Sequence, residues 1–231
     1  MAYKGVVQAQ CPFCSESFEA EVWSVVRGDL DGEIADRMLS GEINFLACPA
    51  CEKPFYYEHT LLYLDPTRDI MAFIYPEAYA AEKERWRATM EADNRKFQAA
   101  LPEKDRRAYG PMLFFGLAAF EEAMRREAVL LEEWEVAAAV AGELGLGIFL
   151  VAPSYAREKG IPGYLPVAPG AGAMRARLLA GLKTLVTAND RLAQYVAYMK
   201  VVDHAGAKWA EPPGRLLVPK TRDQKEKQRG A

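Results

Sequence analysis

The chain has 231 residues, of which 51% are hydrophobic and 26% are charged, and its formal net charge is −3. This composition excludes a chain that is disordered throughout and supports one large domain, or one domain with an extension. The longest apolar run, residues 111–120, is about half of the ~20 residues that a membrane-spanning helix needs, and the N-terminus lacks the features of a secretion signal, so we expect a soluble, cytoplasmic protein.

The first 75 residues predict a small, mostly antiparallel β unit with one short helix. Residues 18–26 alternate apolar and polar side chains, as in a half-buried strand. Asp31 is a suitable N-cap for a short helix that ends near Leu39, before a Ser-Gly pair. Three further strands are predicted, at residues 42–47, 55–64 and 70–75.

Beyond Pro76 the pattern predicts long helices. Residues 76–101 carry a narrow apolar stripe on a highly charged helix, which is typical of packing against one neighbour. A second helix is predicted from Met112 to Ala141, where nearby glycines end it. After a short strand and a loop rich in Pro and Gly, a third helix is predicted over residues 173–202, with Asn189 interrupting its apolar stripe.

Two short stretches near the N-terminus are almost copies of each other. They read QCPFCSESF at residues 10–18 and ACPACEKPF at residues 47–55. A tight Cys-X-X-Cys turn directs two thiolates at one ion, and two such turns complete the tetrahedral shell of a structural zinc site. The proline in each turn fixes one φ angle and orders the loop before metal binds. The sequence therefore predicts a structural Zn²⁺ ion bound by the only four cysteines of the chain: Cys11, Cys14, Cys48 and Cys51.

The same motif allows a different chemistry, thiol–disulfide exchange. In such enzymes a Cys-Pro-X-Cys pair lies at the start of a helix, which lowers the pKa of the first thiol. An oxidoreductase of this kind needs only one pair, and neither segment that follows a pair reads as a helix. Zinc is therefore the favoured interpretation. Since zinc binding contributes about 10–16 kcal/mol in model peptides, against a domain stability of about 5–15 kcal/mol, we expect the β unit to unfold without its metal.

Signals for catalysis are missing elsewhere in the sequence. We find no phosphate-binding loop, zinc-protease motif, serine-hydrolase motif or di-iron motif. The chain has two histidines, and neither is assigned a role: His59 is not needed in a shell of four sulfurs, and His204 is placed near a helix end. These observations favour a non-catalytic protein.

The charge distribution bears on the class of partner. Residues 1–75 contain 5 Lys/Arg and 12 Asp/Glu, a net charge of −7, whereas residues 76–231 carry a net charge of +4. Strong binding to nucleic acid depends on neutralising phosphates with Lys and Arg. The acidic cysteine-bearing region therefore disfavours nucleic acid, although the basic C-terminal tail keeps that alternative open.

The stretch from residue 23 to residue 77 resembles the bacterial CpXC domain, a family named for its paired Cys-Pro-X-Cys motifs. A short helix ending in Leu-Ser-Gly-Glu, the second motif and a Leu-Leu-Tyr-Leu-Asp-Pro strand and turn carry the resemblance, which extends over about residues 9–141. The resemblance implies a zinc-ribbon-like fold in which the four cysteines are the defining positions, and it implies no particular activity. Family members often have Gly after the second motif, where this chain has Glu52, so the second turn could differ in shape.

Together these patterns predict an α+β protein: a zinc-ribbon-like antiparallel β unit with a short helical insertion, followed by long helices. We divide it into a CpXC-like domain at residues 1–141, a C-terminal extension with one long helix at residues 142–209, and a charged tail at residues 210–231 that is predicted to be disordered. The predicted function is a zinc-stabilised, non-catalytic scaffold or adaptor that binds another protein. The alternatives are a nucleic-acid-binding zinc ribbon and a thiol–disulfide oxidoreductase.

Overall fold

The computed structural model of the protein describes residues 2–103 and 106–217, and it confirms the α+β class. The chain forms two compact units, Met1–Arg126 and Glu127–Ala231, which we call the N-terminal and C-terminal units. They divide inside a long helix, whereas the sequence predicts a division after Ala141. Within the described ranges, no helix combines the length and the apolar character that crossing a bilayer requires.

The N-terminal unit is built around a mixed five-stranded sheet with strand order β1-β2-β5-β6-β7. The neighbours β1/β2 and β5/β6 are antiparallel, whereas β2/β5 and β6/β7 are parallel. A separate two-stranded hairpin is formed by β3 and β4. The elements are β1 (Tyr3–Gln10), β2 (Ser17–Arg27), α1 (Gly32–Leu39), β3 (Phe45–Ala47), β4 (Pro54–Tyr56), β5 (Leu61–Asp65), β6 (Ile70–Tyr75), α2 (Lys83–Ala100), β7 (Met112–Phe115) and the first part of α3 (Leu117–Glu143).

Helices cover both faces of this sheet. Strand β6 lies inside the sheet and is buried along its whole length. Its even-numbered residues pack with α1 and α3 on one face, and its odd-numbered residues pack with α2 on the other. A strand buried on both faces reads as a continuous apolar run, which explains the IMAFIY sequence.

The C-terminal unit has its own sheet and core. A three-stranded antiparallel sheet with strand order β10-β8-β9 packs against helices through Leu165, Leu182 and Tyr195, all of which are fully buried. The elements that follow α3 are β8 (Gly147–Val151), α4 (Pro153–Lys159), β9 (Tyr164–Val167), α5 (Met174–Ala188), α6 (Ala193–Ala205) and β10 (Gly214–Leu217).

Two of the predicted helices have different bounds in the structure. The predicted helix from Met112 begins instead at Leu117, because residues 112–115 form strand β7. The side chains of this strand pack alternately into the cores on the two faces of the sheet. The predicted helix over residues 173–202 is broken into α5 and α6. Asn189 causes the break by accepting the N–H of Arg191 on its Oδ1 atom at 3.1 Å, which favours a turn over continued helix.

The strands of the β unit also differ from the prediction. Strand β1 was not predicted, and the single predicted strand over residues 55–64 is split into β4 and β5, which belong to different sheets. Within residues 1–75 three pairings are antiparallel, as predicted for most of this unit, and the β2/β5 pairing is parallel; β7 adds a second parallel pairing from beyond this range. These differences arise because pairing partners are set by contacts between distant segments, which local alternation of side chains does not encode.

The predicted disordered tail contains an ordered strand. Residues 214–217 form β10, whose register with β8 pairs Leu216 with Phe149. Leu216 packs against the core of the C-terminal unit, so apolar burial offsets the cost of ordering this segment. The rest of the predicted tail, residues 218–231, lies outside the described residues.

Substitution of Gly181 tests the close packing of α5 on β9. A Cβ atom at Gly181 would lie 2.4 Å from the Pro166 carbonyl oxygen of β9. We expect Gly181→Ala to lower the free energy of unfolding by about 1–3 kcal/mol, because the backbone of β9 must move. Gly142→Ala is the matched control: nothing lies within 4 Å of its Cβ position in α3, so it should stabilise by roughly 0.5–1 kcal/mol. Urea unfolding measures both, and equal responses would contradict this packing.

Candidate metal centre

The cysteine pairs lie at the tips of two antiparallel hairpins. Cys11 and Cys14 occupy the turn that joins β1 to β2, which opens from the Gln10–Ser17 pair. Cys48 and Cys51 occupy the turn that joins β3 to β4. Each pair is therefore presented by a turn between strands, and neither pair opens a helix.

The two turns have the same backbone conformation. The N–H of Ser15 donates to the Cys11 carbonyl at 3.0 Å, and the N–H of Glu52 donates to the Cys48 carbonyl at 2.9 Å. In both turns the N–H of the first cysteine also donates to the carbonyl five residues later. Ser15 and Glu52 both adopt left-handed conformations, with φ of 62° and 59°. Glu52 thus takes the conformation that glycine favours, and the second turn keeps the shape of the first.

The structure brings the four predicted cysteines into one cluster. All four Sγ atoms lie within 4.8 Å of one another. The Cys11 and Cys51 sulfurs are 3.7 Å apart, and the Cys14 and Cys48 sulfurs are 3.6 Å apart. A zinc ion with ~2.3 Å bonds to four sulfurs requires sulfur–sulfur distances of about 3.8 Å in a tetrahedron. The donor set therefore fits a tetrahedral metal ion.

Two close sulfur contacts join one turn to the other. Cys11 approaches Cys51, and Cys14 approaches Cys48, while all four cysteines are free thiols. A disulfide requires an S–S distance of about 2.05 Å. This arrangement is expected when a shared ion holds two turns together.

Polar and aromatic contacts surround the sulfurs. The backbone N–H of Phe13 donates to Cys11 Sγ at 3.4 Å, which disperses negative charge on the sulfur. Lys53 Nζ, just after the second turn, lies 5.1 Å from the ring centroid of Phe13 in the first turn. Below the cluster, Phe18 and Phe55 pack edge to face and exclude water from one side. Aromatic and cationic contacts therefore link the turns beside the sulfurs.

Neighbouring groups shift the pKa values of two of the thiols in opposite directions. Burial has the largest effect on Cys11 and raises its pKa, but the N–H groups of Phe13 and Cys14 and the neighbouring thiols lower the pKa to about 7 overall. For Cys14, the Glu16 N–H has the largest effect and lowers the pKa, whereas burial and the other three thiols raise the pKa to about 12. Four thiolates can share this volume only when a cation compensates their charge.

Asn44 connects the bases of the two hairpins. Its side-chain Oδ1 accepts the backbone N–H of Trp23 at 2.7 Å, and its Nδ2 donates to the Trp23 carbonyl at 3.1 Å. Asn44 immediately precedes β3, is buried, and has a left-handed φ of 57°. Its own carbonyl accepts the N–H of Tyr57, just after β4. The side-chain amide of Asn44 thus makes the two backbone hydrogen bonds to β2 that a residue of a neighbouring strand would make. These bonds attach the second hairpin to the first.

A histidine provides a second link at the same level. His59 Nε2 lies 3.2 Å from Ser24 Oγ, next to Trp23 on β2. Burial lowers the pKa of His59, which favours the neutral ring in this contact. His59 is thus a structural residue outside the sulfur cluster. His204, in the last turn of α6, lies 3.2 Å from the Lys200 carbonyl of its own helix, measured from Nδ1.

Sequence reasoning identified the cysteines but not Asn44. The signal available was an asparagine within an apolar segment, between Ile43 and Phe45. Asparagine tolerates the left-handed conformation and hydrogen-bonds to backbone groups, both of which occur here. The sequence gives no indication of its partner, because Trp23 is distant along the chain.

Comparison with known proteins agrees with this geometry. A family model described as CpXC protein matches residues 9–130, a range that contains both cysteine turns and Asn44. No curated protein and no solved structure matches the chain significantly.

Removing the Asn44 amide should loosen the metal centre. We expect Asn44→Gly, which tolerates the left-handed backbone, to lower the free energy of unfolding by about 2 kcal/mol through two lost hydrogen bonds. Asn44→Ala should cost about 1 kcal/mol more because of its φ angle. Zinc affinity, measured by competition with a chromophoric chelator, should fall roughly tenfold, or about 1.4 kcal/mol. Asn94→Ala on α2 is the control, since its Oδ1 has no hydrogen-bond partner among residues 2–103 and 106–217; an equal loss of affinity there would contradict the role of Asn44.

Glycine at residue 52 should suit the second turn better than glutamate. Because φ at this residue is 59°, we expect Glu52→Gly to raise the free energy of unfolding by about 0.5–1 kcal/mol. Ser15→Gly should behave alike in the first turn. Thermal unfolding of the metal-loaded variants measures the change. Loss of metal affinity in Glu52→Gly would show that the carboxylate, and not only the backbone, supports the site.

Proposed function

Because the chain belongs to the CpXC family, we propose that its N-terminal unit is a zinc-stabilised, non-catalytic scaffold that binds another protein. The observation that carries the proposal is the set of four cysteine sulfurs with tetrahedral spacing. Structural zinc sites take all four ligands from protein, whereas catalytic zinc sites keep one position open for water or substrate. Four cysteines leave no such position, so the ion would hold the fold and would not perform chemistry. The zinc-ribbon-like description of the unit is part of this proposal.

The choice of zinc follows from the donor set. Four thiolates in a tetrahedron suit zinc, and they also suit iron. Zinc has no redox chemistry and no geometric preference of its own, so it serves as a structural ion. Our proposal includes a cytoplasmic location, since a reducing compartment keeps the four thiols available for metal.

Features around the turns support binding to a protein. Four large hydrophobic side chains on the two hairpins are more than half exposed: Tyr3 at 64%, Val6 at 68%, Phe13 at 55% and Phe45 at 57%. Exposed apolar groups near a rigid centre are suitable contacts for a partner surface. The net charge of −7 over residues 1–75 would repel nucleic acid phosphates, which weakens that alternative.

The redox alternative is less well supported. Thiol oxidoreductases place the attacking thiol at a helix N-terminus, whereas strands β2 and β4 follow the two cysteine turns here. Two close sulfur contacts also join the first Cys-Pro-X-Cys motif to the second. A disulfide within one motif would withdraw both of its sulfurs from this four-sulfur cluster.

Metal removal is the decisive test of this proposal. Purified protein should contain close to one zinc per chain by elemental analysis, and a thiol reagent should react with its cysteines only after a chelator is added. Because a four-sulfur site contributes about 10–16 kcal/mol, chelation should unfold the N-terminal unit, as seen by circular dichroism and by hydrogen exchange in β5 and β6. Cys48→Ser should give the same result.

The control for Cys48→Ser is Ser17→Ala, an exposed residue at the base of the first turn. It should bind metal and unfold as the wild-type protein does. Protein that stays fully folded after chelation and reduces a disulfide substrate would replace the scaffold proposal with the redox one. Iron in place of zinc would change the ion and leave the structural role.

A further inference from the structure

The N-terminal unit also has an open cleft that is separate from the cysteine cluster. Its volume is about 370 Å³, and it lies between the β3–β4 hairpin and the start of α3. Ligand pockets for drug-sized molecules span about 300–1,000 Å³, so this cleft is suited to a side chain or two from a partner. Its principal lining residues are Phe45, Tyr56, Glu58, Glu77, Leu117 and Glu121.

One wall of the cleft is an aromatic pair, of which Phe45 is exposed and Tyr56 is partly buried against the core. Phe45 of β3 is directly opposite Tyr56 of β4 in the hairpin register, and their ring centroids are 5.8 Å apart. Phe45 remains 57% exposed although it is one of the largest apolar side chains of the unit. An aromatic face open to solvent attracts cations through the negative charge at the centre of the ring.

Three carboxylates surround this aromatic pair. Within the part of the chain that the structure describes, none of Glu58, Glu77 and Glu121 forms an ion pair with Lys or Arg, although Glu122, the next residue of α3, pairs with Arg125 and Arg126. Glu58 Oε1 accepts the backbone N–H of Glu77 at 3.5 Å, and this hydrogen bond places two of the acidic residues side by side. The cleft therefore concentrates negative charge without a cation of its own.

The negative charge of the cleft affects the ionisation of Tyr56 in the aromatic wall. Burial, followed by the charges of Glu58 and Glu121, raises the pKa of Tyr56 to about 12. Like charges gathered in a partly enclosed space repel one another, and a positive group between them relieves the repulsion. An exposed aromatic ring, and carboxylates that form no ion pair with the described residues, together match the two recognition properties of a Lys or Arg side chain, its charge and its apolar stem.

We infer that this cleft binds a lysine or arginine side chain of a basic segment in the protein partner. The inference rests on the proposed scaffold function and states the chemistry of that partner. The acidic charge of residues 1–75 would steer a basic segment toward the unit. Anionic lipids and nucleic acids carry negative charge, so the three carboxylates would repel them.

The cleft depends on the cysteine cluster. Phe45 and Tyr56 belong to the hairpin whose tip carries Cys48 and Cys51, and strands of three residues do not form a stable hairpin alone. Metal bound at the tip would hold the aromatic wall in place. Binding of the basic segment should therefore require the metal-loaded protein.

The test uses a hexalysine peptide as the probe and metal-loaded full-length protein, with zinc content measured on the same sample. Isothermal titration at low salt should detect binding, and the affinity should fall as salt is added. Replacing three surface carboxylates by amides (Glu58→Gln, Glu77→Gln and Glu121→Gln together) should weaken binding roughly tenfold. Phe45→Ala, which leaves every charge in place, should weaken it roughly threefold.

A matched variant separates the cleft from general electrostatics. Glu19→Gln, Glu33→Gln and Glu91→Gln together remove the same charge from exposed residues on β2, α1 and α2, none of which lines the cleft. Binding by this variant should stay within about twofold of wild type, since exposed charges contribute little each. An equal loss in both triple variants would overturn the inference, as would no effect of Phe45→Ala.

Two further results distinguish this inference from the scaffold proposal. If the protein contains one zinc and unfolds on chelation but does not bind hexalysine, the cleft inference fails and the metal-stabilised scaffold stands. If the folded protein contains neither zinc nor iron, the metal-stabilised scaffold proposal fails whatever the peptide does. Preferential binding of a hexaglutamate peptide, a single-stranded oligonucleotide or anionic lipid vesicles would also overturn the assignment of a basic partner.

Discussion

The N-terminal unit depends on one constraint: four sulfurs from two separate hairpins must meet around a common point. The second hairpin cannot ensure this by itself, because β3 and β4 have three residues each and a hairpin of that length is only marginally stable alone. A metal ion bound by the four sulfurs would supply the missing stabilisation at the tips, on the order of 10–16 kcal/mol. The hydrogen bonds of Asn44 supply about 1 kcal/mol each at the bases. A bound ion would thus contribute far more stability than Asn44, whereas Asn44 links the second hairpin to β2 through contacts that involve no metal.

The site was predictable from sequence to the extent that its geometry is local. A Cys-Pro-X-Cys turn has few conformations, so the spacing of four cysteines identified the cluster without any knowledge of the sheet. The shared shape of the turns needed the structure, since Glu52 takes a left-handed backbone that glycine usually takes. Asn44 and His59 were not predicted, because each acts on β2 through a contact between residues that are far apart in sequence. Local motifs can be read from sequence, whereas the contacts that orient them cannot.

The same distinction explains the fold. Strand β6 was predicted with its observed bounds because six consecutive apolar residues leave little choice. Residues 112–115 were assigned to a helix because an apolar segment buried on both faces has the same composition in a strand and in a helix. The strand β10 was missed because a short strand beside prolines and charges gains its stability from pairing with β8, which the local sequence does not reveal. Both errors arise because tertiary contacts, and not local sequence preference, determine the structure of these two segments.

The hairpin that carries Cys48 and Cys51 contributes residues both to the cysteine cluster and to the acidic cleft of the N-terminal unit. Its tip presents sulfurs, its base is fixed to Trp23 by Asn44, and its outer face exposes Phe45 beside three carboxylates that line the cleft. An ion at the tip cannot contact a partner directly, because protein ligands fill its shell. It can act on a partner only by ordering the surface that the partner meets. If the aromatic wall is ordered by the metal, metal occupancy and partner affinity are thermodynamically linked, and each must strengthen the other by the same factor.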